Sequence, residues 1–432
     1  MYMLGLAFVF FFTWSARRTN AATTSSIATP HNITDNVLKL NVHDYRAKSL
    51  RKRQPPQQAE DDLFFRDSMY TVPVRVGDQD LNLEINMGSL ETWVATPYFF
   101  CVDKERVQIP QDACRIGPYY EPSPELAKEL LTREGGEWSE IVYASGSFVN
   151  GKVFEKQIGI GGVSRGSPYW IKELKIGMPN EGHWTGNGIA SGVLGLAMPR
   201  QPDRPSILGA LFKDENIPAV LSLALAHPDS ESEPRGGGVI GFGGIPNILT
   251  DDNWDSTPIK PPPMTRLGST IIPIMGFHIM PDPGDRSELP LTSSEVFTPL
   301  LIFSHNMAVD STTSVIRVPH KVAKYTALLF RTPLKLDPAT GLYRVSCEGF
   351  APRFGIRINE KTFFIPTSDL RKRISSFGPD ECALMIQPSE RNDLTLGTPF
   401  LRNVLAVFDY SGIRNGKQHG VLQVVGRRKR TD

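Results

Sequence analysis

The chain has 432 residues, 40% of them hydrophobic, with 47 Lys and Arg against 46 Asp and Glu and a net charge of +1. That length and apolar content suffice for a large core and for two or three domains. A charge this balanced provides no electrostatic footprint for nucleic acid or a strongly anionic partner, and the 37 Gly and 35 Pro, spread through short apolar runs, point to an all-β chain with many turns.

Residues 4–14, L-G-L-A-F-V-F-F-F-T-W, form an apolar run too short to span a bilayer and of the length of a signal-peptide core. Thr19-Asn20-Ala21 offers a cleavage site, so residues 1–21 read as a signal peptide, against a membrane anchor or a buried strand. Membrane contact then arises only through an uncleaved leader. Residues 22–62 are polar and aperiodic and read as a propeptide or disordered lead-in. Within them, Asn32-Ile33-Thr34 is a glycosylation sequon, and Arg51-Lys52-Arg53 is either a dibasic processing site or a solvated charge run.

From Tyr70 the pattern changes. Tyr70, Val72, Val74 and Val76 alternate with more polar residues, and so do Leu81, Leu83 and Ile85, which predicts two strands, the second running into the turn Asn86-Met87-Gly88-Ser89. Ser123 to Glu134 predicts a short amphipathic helix, and Ile141-Val142-Tyr143-Ala144-Ser145-Gly146-Ser147 a strand entering a hairpin. Ser191 to Ala197 is an apolar segment with glycines, and Pro205 to Ile217 contains a short helix. The Gly236–Gly244 run contains G-x-G but lacks the following helix that nucleotide binding requires. Pro258 to Asp285 is Pro-rich and irregular. Met307-Ala308-Val309 then enters a second turn, Asp310-Ser311-Thr312-Thr313-Ser314, with a helix predicted over Pro319–Phe330 and short strands from Tyr343 to Gly426. Residues 427–432 read as a basic tail. The four cysteines allow three connectivities, and their even number behind a signal peptide fits an oxidising compartment. No CxxC or HExxH spacing occurs among the 4 Cys and 8 His, so neither a metal nor another cofactor is expected.

Two strand-then-turn units with an Asx residue at each tip, each followed by a glycine-containing apolar segment (Ser191–Ala197 and Leu394–Leu401), resemble the pepsin-type aspartic peptidases. In that family each of two lobes offers D-T-G-[ST], and the paired aspartates activate water. The resemblance runs from about Tyr70 to Val425. It implies an all-β, bilobal fold of two pseudo-two-fold related lobes with a few short helices, residues 63–245 and 246–426. It further implies the disulfides Cys101–Cys114 and Cys347–Cys382, and a flap bearing Tyr143 and Ser145, with Trp93 supporting Tyr143. Gly88 and Thr313 would lie beside the substrate, with Ser89 and Ser311 as hydrogen-bonding neighbours. The implied protein is a secreted, extracellular monomer that takes peptide or protein segments in the cleft between its lobes.

The chemistry needs two carboxylates sharing one proton, one acting as base on water and the other as acid toward the carbonyl. Here Asn86 and Met87 stand where the family has Asp and Thr; Asp310 is kept, but Ser311 and Thr312 stand for Thr and Gly. An amide cannot cycle the proton, so the expectation is a catalytically inactive pseudoprotease. The alternatives are an endopeptidase working with an atypical Asn/Asp pair, and a secreted inhibitor or structural protein using the fold as a surface. Asp310 is expected to accept a hydrogen bond from the Asn86 amide, Ser311 to keep half of an inter-lobe lock that Met87 cannot serve, and Thr312 to crowd the second turn.

Overall fold

The computed structural model describes residues 31–34, 37–44, 68–132, 137–143, 145–160, 169–199, 206–213, 217–227, 236–261, 269–282, 284, 300–301, 304–374, 376–389, 393–414 and 419–427. The expected signal peptide, the Arg51-Lys52-Arg53 cluster and residues 428–432 of the tail lie outside them.

Alternation builds the first site strand. Along Gln79–Asn86, Leu81, Leu83 and Ile85 enter the main hydrophobic core, which leaves Asn82, Glu84 and Asn86 on the opposite face. Ser68–Val76 pairs antiparallel with it, and through Gly192–Gly195, Trp93–Val94 and Tyr169–His183 the sheet reaches Phe148–Ile160. That long strand pairs back onto Ser68–Val76, with Val74 opposite Ile160, and so closes the ring. The protein is mostly β, as the composition and turns imply, with short helices at Pro124–Leu131, Ile207–Leu211 and His320–Leu328. The Pro124–Leu131 helix starts where Ser123 caps it, its hydroxyl accepting from Leu126 N–H, with proline in the first turn.

The second half repeats the motif that holds the first tip. Gln79–Asn86 runs parallel to Gly192–Gly195, which is antiparallel to Trp93–Val94. His305–Val309 likewise runs parallel to Thr395–Leu396, which is antiparallel to Ile316–Pro319. Glycine is required where these buttresses cross behind the turns. A Cβ on Gly397 would meet both Thr313 O and Val315 O at 2.2 Å, and one on Gly195 would lie 2.6 Å from Glu91 O.

The aperiodic reading of residues 22–62 misses one strand. Val37–Asp44 lies between Gly238–Phe242 and Ser68–Val76, antiparallel to both. Its alternation covers only Leu38, Leu40 and Val42 against Lys39, Asn41 and His43, a short signal within a polar segment, and Leu38 and Leu40 are buried. Beyond Gly238–Phe242 the same sheet takes in Val220–Leu225, Val404–Asp409, Gly420–Gly426 and Asp255–Ile259, so strands from both halves of the chain share it. The Gly236–Gly244 run thus contributes a strand to this shared sheet.

A buried polar cluster adds to this union. Arg402 Nε donates to Tyr70 Oη at 2.8 Å and its Nη1 to Asp369 at 3.3 Å, while Asn403 Nδ2 reaches Asp369 at 2.9 Å and His227 lies 3.4 Å away. Burial opposes ionisation of Asp369, but hydrogen bonds from His227 and Asn403 and the charge of Arg402 outweigh it and hold the carboxyl below the usual carboxylate range. Both expected disulfides, Cys101–Cys114 and Cys347–Cys382, are present.

Candidate functional site

The two tips meet. A Cβ placed on Gly88 would lie 3.3 Å from Asn86 Oδ1 and 3.7 Å from Asp310 Cγ, so both side chains flank one point above Gly88. Each tip forms the same short loop. Asn86 Oδ1 accepts from Gly88 N–H at 2.8 Å, and Asp310 Oδ1 accepts from Thr312 N–H at 2.8 Å. Each strand end is tied to its buttress by a backbone bond of opposite direction: Leu196 N–H donates to Asn86 O at 2.8 Å, and Asp310 N–H donates to Leu396 O at 3.1 Å.

The expected bond from the Asn86 amide to Asp310 does not form. Thr312, expected only to crowd the turn, supplies the difference, because its hydroxyl donates to Asp310 Oδ1 at 2.8 Å beside its own N–H, and Thr313 Oγ1 donates to Oδ2 at 2.7 Å. Three hydrogen bonds to the carboxylate therefore come from within its own turn. The residue three positions after the tip behaves differently in the first turn: Ser89 Oγ donates toward Glu91, with Oε2 at 3.3 Å. The lock between the halves is single. Ser311 Oγ accepts from Met87 N–H at 3.2 Å and donates to Ile85 O at 3.0 Å, while the Met87 side chain is buried in the core.

The hairpin expected as the flap is formed by Glu137–Val142 and Phe148–Ile160, with Tyr143 N–H donating to Ser147 O at 2.8 Å across its end. Trp93, fully buried, donates from Nε1 to Tyr143 Oη at 2.7 Å. Ser145 Oγ bonds to Ser147 Oγ at 3.1 Å, so its hydroxyl is occupied within the hairpin. The sequence reading missed Trp184, whose ring sits 5.1 Å from that of Trp93 and 5.3 Å from that of Tyr143, both edge-on. Only a large aromatic ahead of a Gly-Asn-Gly turn marks it in the sequence, and that pattern does not say what it packs on. Glu91 was missed as well; its carboxylate accepts from Ser89 Oγ.

Asn32, at the sequon, is exposed, and the Thr34 hydroxyl donates to Phe242 O at 2.9 Å. Among the described residues no group of three or more His, Cys, Asp or Glu is placed to hold a metal, and no helix is long and apolar enough to cross a membrane.

The sequence profile described as eukaryotic aspartyl protease matches residues 69–417, which takes in both tips, the hairpin and both buttresses. The chain belongs to the eukaryotic aspartyl protease family. Relatives in this family include a probable aspartic-type endopeptidase of Aspergillus fumigatus, 26% identical over 79% of this chain and 76% of its own length. Penicillopepsin-3 of Penicillium janthinellum is 25% identical over 81% of this chain and 78% of its own. A shorter match, 34% identical over 22% of each chain, is to secreted aspartic protease 5 of Candida albicans. Membership in an aspartyl protease family implies peptides as the substrate class, and it sets the question of what an Asn/Asp pair can do to one.

Proposed function

We propose that this chain is a secreted pseudoprotease of the aspartyl protease family, one that holds extended peptide or protein segments between its lobes and does not cleave them. Residues 1–21 serve as its signal peptide and residues 63–245 and 246–426 as its lobes; it works as a monomer and needs no cofactor. The observation that carries the reading is Asn86: the first tip bears an amide whose oxygen is engaged by Gly88 N–H, so it neither takes up nor releases a proton. Peptide affinity, in contrast, comes from backbone hydrogen bonds and alternating side-chain pockets, which need no proton-shuttling pair. The hairpin, its Trp93–Tyr143 bond and the Ser311 lock all support retention of a peptide cleft.

The test is cleavage of a pooled peptide substrate from pH 3 to 7 by the full chain and by Asp310→Ala, with peptide binding measured in parallel. Both proteins are expected to stay at background in cleavage while the full chain binds peptide. Asp310-dependent cleavage by the full chain would sink the reading and show that one carboxylate suffices.

A further inference from the structure

Once the two turns have satisfied their own groups, the Asn86 NH₂ and one acceptor site of Asp310 remain for a ligand. Gly88 N–H donates to the Asn86 side chain at 2.8 Å, and only the amide oxygen can accept it, so Nδ2 lies on the other side of the group. Asn86 is 4% exposed, yet none of the described residues accepts a hydrogen bond from Nδ2. At Asp310, Oδ1 already takes Thr312 N–H and O–H and Oδ2 takes the Thr313 hydroxyl. A carboxylate has about four lone-pair sites, which leaves one on Oδ2.

Two carboxylates sharing a proton would present mainly acceptors. This floor instead presents an N–H donor beside a carboxylate acceptor. A trans peptide group matches only half of it, because its C=O and N–H point in opposite directions. An apolar side chain leaves both polar groups dry, and a carboxylate meets Asp310 as a like charge. A primary carboxamide carries an acceptor and a donor on the same side.

We propose that the cleft selects peptides that place a Gln or Asn side chain over the Asn86–Asp310 floor, the amide oxygen accepting from Asn86 Nδ2 and an amide N–H donating to Asp310 Oδ2. This rests on the peptide-binding reading above and names the class of peptide it takes. The Gly88 and Thr312 contacts fix which atom of each tip faces outward, so changing either tip residue changes the preference in a defined direction.

The experiment uses the full chain near pH 7 and fluorescence anisotropy with extended peptides in which Gln, Glu or Met is moved through each position in turn. At one position Gln is expected to bind about tenfold or more tighter than Glu or Met. In Asp310→Asn, Thr312 N–H holds the new amide by its oxygen and turns a second NH₂ outward, so the preference should pass from Gln to Glu. In Asn86→Asp the Gln preference should vanish. Equal binding of the three residue types at every position by the unaltered chain, or a Gln preference that survives both substitutions, overturns the carboxamide assignment and leaves the peptide cleft standing. Failure of every peptide to bind the unaltered, folded chain overturns the cleft reading and the assignment with it.

Discussion

Trp93 Nε1 donates to Tyr143 Oη at 2.7 Å, which pins the hairpin to the body of the first half. Trp93 is fully buried and Tyr143 partly so, and Trp184 packs edge-on against both rings. Tyr143→Phe removes the acceptor and leaves the indole N–H dry. It should weaken peptide binding about fivefold and lower stability by about 1 kcal/mol, measured by anisotropy and urea unfolding.

Ser311 carries both halves of the cross-lobe bond, since its hydroxyl accepts from Met87 N–H and donates to Ile85 O. Ser311→Ala leaves a buried N–H and a buried C=O without that partner and should cost about 1–3 kcal/mol. Ser311→Thr should keep both bonds and stay close to the parent in denaturant midpoint.

Restoring chemistry should require more than one residue. Asn86→Asp alone adds a second carboxylate, but Thr312 still occupies Asp310 Oδ1 twice, with its N–H and its hydroxyl, which leaves that oxygen no open lone pair for a shared proton. Asn86→Asp alone should therefore recover little cleavage, whereas Asn86→Asp with Met87→Thr and Thr312→Gly should gain within the roughly 10²- to 10⁴-fold of a working acid–base group. Equal recovery by the single and triple variants at pH 3 to 7 would show that Thr312 is irrelevant to the proton.

Asp369 makes the union of the two halves acid-sensitive. Its folded pKa lies below its unfolded value, so ionisation adds stability above the unfolded value, about 4, and that stability is lost as pH falls through the folded value. Asp369→Asn leaves Arg402 buried without its counter-charge and should cost about 3 kcal/mol at neutral pH. As pH falls below about 4, the parent should lose stability more steeply than the variant, in denaturant titrations at fixed pH.

The Cys101–Cys114 bridge spans a separation of 13 residues and Cys347–Cys382 one of 35. Loop-closure entropy alone assigns each about 3–4 kcal/mol, so reduction should lower the thermal midpoint markedly. Intact-mass analysis after alkylation of the native protein should find no modified cysteine.

Much of this was legible in the sequence because it rests on short-range pattern. Period-two alternation ending in an Asx turn marked the first tip, the apolar run Met307–Val309 before Asp310 the second, and Ser123-Pro124 a helix start. What was not legible depends on which hydrogen bond wins in space. Thr312 read as bulk in a glycine position, yet its hydroxyl lies within reach of its own tip carboxylate, so the bond expected between Asn86 and Asp310 is replaced by one within the second turn. Trp184 and Asp369 meet partners 33 or more residues away in the chain, and no local pattern encodes such a meeting.

The Val37–Asp44 strand changes what a cut at Arg51-Lys52-Arg53 would produce. Leu38 and Leu40 sit in the core, worth about 1.5–3 kcal/mol each, and the strand is hydrogen-bonded along both edges. Hydrolysis after Arg53 severs one backbone bond and none of these. The product is then a nicked, two-chain protein whose small chain stays seated as a structural subunit. With no cysteine before Cys101, only non-covalent contacts hold that fragment. It should travel with the large chain in native mass spectrometry and part from it in denaturant, and end-group sequencing of the folded sample should read two amino termini.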